Sequence, residues 1–148
     1  MKYFAYGSNM DPERMRQRGI EFSRREYTIL NGWRLVFNKI AFPNSKEGYA
    51  NIERDEEGVV EGILYEIQES GLTKLDGYEG YPDHYNRIKV RVKLSNAQEV
   101  EGITYIAQHN KIGSGLKPSK DYLNHLLKGC DLLSEKYCEM LRKWETLD

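Results

Sequence analysis

The sequence predicts a mixed α+β fold, a compact barrel-like sheet of about six strands with three or four peripheral helices. Three observations carry this reading. Short runs of alternating, aromatic or β-branched residues fill the middle of the chain. Gly-, Asn- and Asp-containing turns separate them. Apolar residues at helical spacing, behind capping serines, fill the last third. The 148 residues fit one domain spanning 1–148, long enough to bury a core without staples. Barrel closure would remove exposed strand edges, although periodicity alone does not separate a closed barrel from an open sheet.

Residues 2–6 read as a short aromatic strand that Gly7-Ser8-Asn9 interrupts. Asp11-Pro12 then opens a helix, with Asp as cap and Pro at the first helical position, and Gly19 closes it. Gly32–Asn38 has the aromatic and β-branched character of a strand. Tyr49–Arg54 and Val59–Ile67 read as a hairpin turned at Asp55-Glu56-Glu57-Gly58. Residues 69–77 form a short helix with Leu72 and Leu75 on one face. The following Asp76–Pro82 reads as irregular backbone, because Gly77 and Gly80 punctuate it. Ile88, Val90, Val92 and Leu94 alternate with Lys89, Arg91 and Lys93, and with Val100–Gln108 they make a second hairpin. Leu123, Leu126, Leu127 and Cys130 repeat at helical spacing behind Pro118-Ser119. Tyr137, Leu141 and Trp144 do so behind Ser134.

Charge excludes some functions. Twenty-two basic residues face 23 acidic ones, so no basic excess exists to neutralise phosphates, and nucleic acid is not an expected partner. The opening apolar run is too short for a signal peptide or a membrane span, so no membrane partner is expected and the chain reads as cytoplasmic. Cys130 and Cys138 form neither CxxC nor a metal spacing with His. They read as reduced thiols in helical segments. No metal or other cofactor is expected, since H-E-x-x-H is absent and His84, His109 and His125 are scattered.

Two segments can carry chemistry. Tyr6-Gly7-Ser8-Asn9 follows a buried strand and precedes a helix, where exposed backbone N–H groups can bind a carboxylate or an oxyanion. The same residues also make an ordinary strand-to-helix turn. Ser8 lacks the G-x-S-x-G context of a nucleophile. In Leu75–Pro82, Glu79 sits among aromatics and glycines, which would desolvate it and raise its pKa toward the range useful for proton transfer. A solvated loop acid is the plainer alternative, and Asp76 is the rival carboxylate. Eleven tyrosines against four phenylalanines leave several to line a polar pocket.

Taken in order, these segments resemble the gamma-glutamylcyclotransferase family. Tyr3–Met10 is very similar to its N-terminal signature. Leu75-Asp76-x-x-Glu79-Gly80 resembles its catalytic segment, Gly58–Ile67 its central strand, and Tyr105 and Pro118-Ser119-x-x-Tyr122 its later blocks. The resemblance covers nearly the whole chain. It implies a compact mixed α/β barrel and cyclisation of a gamma-glutamyl compound to 5-oxoproline, with release of an amine or amino acid. It makes Glu79 the general acid/base, and it gives substrate binding to Tyr6, Gly7, Ser8, Asn9, Tyr85, Tyr105 and Tyr122. It also implies a homodimer, and a reaction that needs no metal, nucleotide or covalent nucleophile. The segment after Glu79 is about one residue shorter than in the vertebrate pattern, which lacks Tyr81-Pro82. That departure implies a different pocket wall and motivates one version of the reading, in which the substrate is a gamma-glutamyl amine or a protected biosynthetic intermediate rather than a dipeptide. The alternatives from other classes are a small-ligand-binding protein of the same fold without turnover, and a Ser8-dependent hydrolase.

Overall fold

A computed structural model describes residues 1–148. The elements run β1 (Lys2–Ala5), a 3-10 turn (Ser8–Met10), α1 (Pro12–Gln17), β2 (Phe22–Ala41), β3 (Asn44–Ile67), α2 (Glu69–Glu79), β4 (Tyr85–Leu94) and β5 (Glu99–Ala107). A second 3-10 turn (His109–Lys111), α3 (Lys120–Leu127) and α4 (Glu135–Arg142) follow. The strands close into a barrel in the order β1-β3-β2-β4-β5. A parallel contact between Tyr3 and Ile103 joins β1 to β5, and every other pairing is antiparallel.

Five strands replace the expected six, because two of them are long. β2 has 20 residues and β3 has 24. Asp55–Gly58, read from sequence as a hairpin turn, lies inside β3. There the register with β2 shifts between Asn31 and Trp33. The Asp55 carboxylate accepts a hydrogen bond from the Glu57 N–H at 3.1 Å. Opposite this irregularity Gly32 has φ +87°, the left-handed conformation that a bulge commonly requires. The turn residues therefore mark a bulge rather than a reversal. The true hairpin tip is at Phe42-Pro43, between β2 and β3.

The sheet carries core on both faces: Phe4, Val60, Ile63, Tyr65 and Val92 are all fully enclosed, with Phe4 and Val60 on the opposite face from Ile63 and Tyr65. Its buried hydroxyls are satisfied. Thr28 donates to the Lys93 carbonyl (2.8 Å) and Thr104 to the Phe4 carbonyl (2.7 Å). The helices form as their capping residues dictate. Asp11 accepts from the Glu13 N–H (3.0 Å), Ser119 from Tyr122 (3.1 Å) and Ser134 from Tyr137 (3.2 Å). Met10, Met15, Leu126 and Leu141 extend the core outward beneath them.

Cys130 and Cys138 are disulfide-bonded, not reduced. The turn after α3, which carries Cys130, and the body of α4, which carries Cys138, bring the two Cα atoms to 5.9 Å, within bridging range. No helix is long and apolar enough to cross a membrane.

Candidate functional site

At one end of the barrel β1, β2 and β5 finish and β3 and β4 begin. A cavity of about 340 Å³ opens there, of ordinary small-molecule size. The predicted residues Tyr6, Gly7, Ser8, Asn9, Glu79, Tyr85, Tyr105 and Tyr122 all line it. They come from six different elements or their connections, so only the closed barrel brings them together.

Glu79 is the last residue of α2, not part of an irregular loop. The helix runs through Gly77 at a modest propensity cost. It stops at Gly80, whose φ of +64° lets the Tyr81 N–H reach back to the Asp76 carbonyl at 2.9 Å. This termination aims Glu79 into the cavity. Its Oε1 accepts from Asn9 Nδ2 at 3.2 Å. Burial raises the carboxyl pKa above its ordinary value, while Arg18, Arg14 and Lys39 act in the opposite direction. A carboxylate at a helix C-terminus also meets the negative end of the dipole, which acts in the same sense as burial.

Asn9 organises this wall. It is 2% exposed, and its amide also donates to Tyr3 Oη (3.0 Å) and accepts from Arg18 Nη1 (3.0 Å). Its backbone carbonyl accepts from Tyr65 Oη at 2.7 Å. Arg25 donates to the neighbouring Met10 carbonyl (3.1 Å) and to both carboxylate oxygens of Asp131 (2.6 and 3.0 Å). These contacts fix the 3-10 turn against the barrel and the α3–α4 connection. The leading N–H groups of such a turn have no partner within it.

The tyrosine hydroxyls divide into two groups. Tyr6 donates to the Tyr105 carbonyl (2.6 Å), Tyr85 to the Ala50 carbonyl (2.8 Å) and Tyr105 to Asp76 Oδ1 (2.6 Å). Their protons are committed to the framework. Tyr122 Oη accepts from the Ala50 N–H (3.0 Å), and Tyr3 Oη accepts from Asn9, so both keep an O–H free for a ligand. Burial raises the pKa of all five phenols, which keeps them protonated.

Residues 3–124 match the family model described as gamma-glutamyl cyclotransferase, AIG2-like. The chain belongs to that family. A 54-residue stretch is 35% identical to MJ1514 of Methanocaldococcus jannaschii, to which the gamma-glutamylcyclotransferase name is provisionally attached. That stretch is 36% of this chain and 45% of the relative, so less than half of the relative's length is spanned. A solved gamma-glutamyl cyclotransferase superposes with TM-score 0.87 at 27% identity, over 100% of this chain and 89% of its own. An uncharacterised protein from Homo sapiens gives the same score and identity, over 99% of this chain and 89% of its own. YkqA from Bacillus subtilis shares the fold at TM-score 0.85 and 24% identity, over 99% of this chain and 55% of its own.

Within this family fold the cavity holds further residues that the sequence reading did not select: Tyr3, Arg14, Arg18, Lys39 and Tyr49. Arg14 and Arg18 carried a signal, since a spacing of four on a helix places both on one face. Arg14 donates to His125 Nε2 at 3.1 Å, and His125 Nδ1 lies 2.8 Å from Asp11, so this chain of contacts orients the guanidinium. Lys39 carried a signal too. In the second half of β2 the buried alternate positions are Trp33, Leu35, Phe37, Lys39 and Ala41, and Lys39 is the one charge among them. Ser8 lies in the wall, but no histidine is hydrogen-bonded to its hydroxyl, and His125 is committed to Arg14 and Asp11.

Proposed function

We propose that this chain converts a gamma-glutamyl compound to 5-oxoproline with Glu79 as general acid/base. The observation that carries the reading is the composition of the cavity wall. Glu79 is its only acid, desolvated and held by Asn9, among the cations Arg14, Arg18 and Lys39. Such a wall attracts a ligand bearing carboxylate and offers it a single proton carrier. Family membership supports the same reaction class.

The chemistry moves two protons through Glu79, one before ring closure and one after it. The substrate's α-ammonium loses a proton to Glu79, and the freed amine attacks the γ-carbonyl within the same molecule. A C–N bond forms and a tetrahedral oxyanion results. Glu79 returns that proton to the departing nitrogen as the original amide C–N bond breaks, then takes the second proton from the new ring nitrogen and passes it to the released amine, leaving 5-oxoproline, an ammonium and an ionised Glu79. Acid–base help of this kind contributes about 10²–10⁴-fold. Because the ring closure is intramolecular, holding the glutamyl chain in an attack geometry supplies much of the remaining gain. The backbone N–H groups of Gly7, Ser8 and Asn9 and the free hydroxyls of Tyr3 and Tyr122 are the donors available to its oxygens.

Incubation with a panel of gamma-glutamyl amino acids and gamma-glutamyl amines, read by mass spectrometry for 5-oxoproline, tests the reading. Product from the wild type and not from Glu79→Gln is the expected result. No product from any compound, with bound ligand detectable, favours the binding-protein alternative.

A further inference from the structure

Lys39 has no part in that proton transfer, and its surroundings are unusual. It is 3% exposed, and buried lysines are normally paired. Lys39 makes no ion pair. Its ammonium gives one hydrogen bond, to the Ile40 carbonyl at 2.7 Å, which leaves two of its three N–H donors free. Three rings surround it, Phe42 at 5.4 Å, Tyr85 at 5.5 Å and Tyr49 at 5.8 Å. The other charged groups facing it are Lys111, which repels it, and Glu79, which attracts it, with His84 also within its field. Burial and Lys111 push its pKa down. An anion placed beside it would oppose that shift and favour the ammonium.

The cavity thus has cations on two walls of different origin. Arg14 comes from α1 and Arg18 from its C-cap, on the side of Asn9 and the 3-10 turn. Lys39 comes from the far end of β2, among aromatic rings. A glutamyl group carries one α-carboxylate, and the α1 wall already offers two cations for it. A second anionic group would meet the free donors of Lys39. In a gamma-glutamyl amino acid that group is the carboxylate on the leaving side of the amide.

Resting on the cyclotransferase reading, we infer that Lys39 forms a leaving-group subsite that selects gamma-glutamyl amino acids over gamma-glutamyl amines. The leaving carboxylate accepts from Nζ, and Phe42, Tyr49 and Tyr85 pack against the carbon skeleton beside it. This reading opposes the gamma-glutamyl amine version that the Tyr81-Pro82 departure motivated.

Gamma-glutamylalanine and gamma-glutamylethylamine differ only by that carboxylate, so the ratio of their kcat/KM values reads the subsite directly. The wild type is expected to favour the alanine compound by about ten- to a hundredfold, the range of a hydrogen bond to a charged group. In Lys39→Met, which keeps the apolar stem, and in Lys39→Gln, the ratio is expected to fall toward one. A wild-type preference for the ethylamine compound overturns the proposal, as does an unchanged ratio in either folded variant. The same two compounds titrated calorimetrically into Glu79→Gln separate the proposal from the reaction. Discrimination by Kd that disappears in the Glu79→Gln/Lys39→Met double variant, with no 5-oxoproline from the wild type, sinks the reaction and keeps the subsite. Equal binding of the two compounds sinks the subsite whatever the turnover.

Discussion

The region around Asp76 and the region around Glu79 lie three residues apart on α2, and they treat a carboxylate in opposite ways. Asp76 is fully engaged. Tyr105 donates to it at 2.6 Å, and Arg87 pairs with it at 3.4 Å. Glu79 has one neutral donor, the Asn9 amide, and faces an open cavity. A carboxylate that holds a phenol and a guanidinium is a structural anchor. One that is desolvated and barely bonded has a raised pKa and spare lone pairs, which proton transfer needs. Spacing on the helix does not separate the two roles; the barrel end above each residue does.

The largest effect should come from breaking the Glu79 side. Glu79→Gln is expected to fold normally and lose about 10²–10⁴-fold in kcat/KM for 5-oxoproline release. Asp76→Asn is expected to lose less than about tenfold, with a lower melting temperature from the weakened Tyr105 bond. Comparable losses in the two variants would erase the distinction.

Asn9→Ala is the next largest expected effect. It strips partners from Tyr3, Arg18 and Glu79 together. A stability loss of about 1–3 kcal/mol follows from leaving buried polar groups unpaired, read by urea unfolding, with a parallel fall in kcat/KM. The pH profile sharpens the comparison further. Glu79 takes its first proton only when ionised, so kcat/KM should rise with pH along a limb above the ordinary glutamate value of about 4.3. Arg18 is the leading influence that opposes burial, so Arg18→Gln should move that limb to higher pH. A limb that stays in place would remove Arg18 from the electrostatics. The smallest expected effect is Gly80→Ala. It forces a Cβ into the left-handed region and to 2.9 Å from the His84 ring, at about 1–2 kcal/mol, visible in thermal unfolding.

Local rules were legible in the sequence. Asp11-Pro12, Ser119 and Ser134 announced their helices, because capping is a contact between near neighbours. The alternation in β4 gave that strand directly. Asp55–Gly58 misled, since the same residues serve a hairpin turn and a bulge, and only the pairing partner decides between them. Gly77 misled for α2, because a glycine inside a helix is a small penalty that tertiary packing overrides. The site residues with a local motif, Gly7–Asn9 and Glu79, could be named from the sequence. Lys39 could be read only once β2 was seen to continue past Asn38, which puts its charge on the inward face. The Cys130–Cys138 pairing depends on how α3 and α4 dock, and the spacing did not reveal it.

The most direct test of the Glu79 assignment is a carbon-detected NMR titration of the glutamate side-chain carboxyls, with Glu79→Gln to assign the resonance. A signal lost in that variant and titrating above about 4.3 is the predicted result. A Glu79 resonance titrating at or below that value would contradict the claim that burial holds this carboxyl ready to carry a proton.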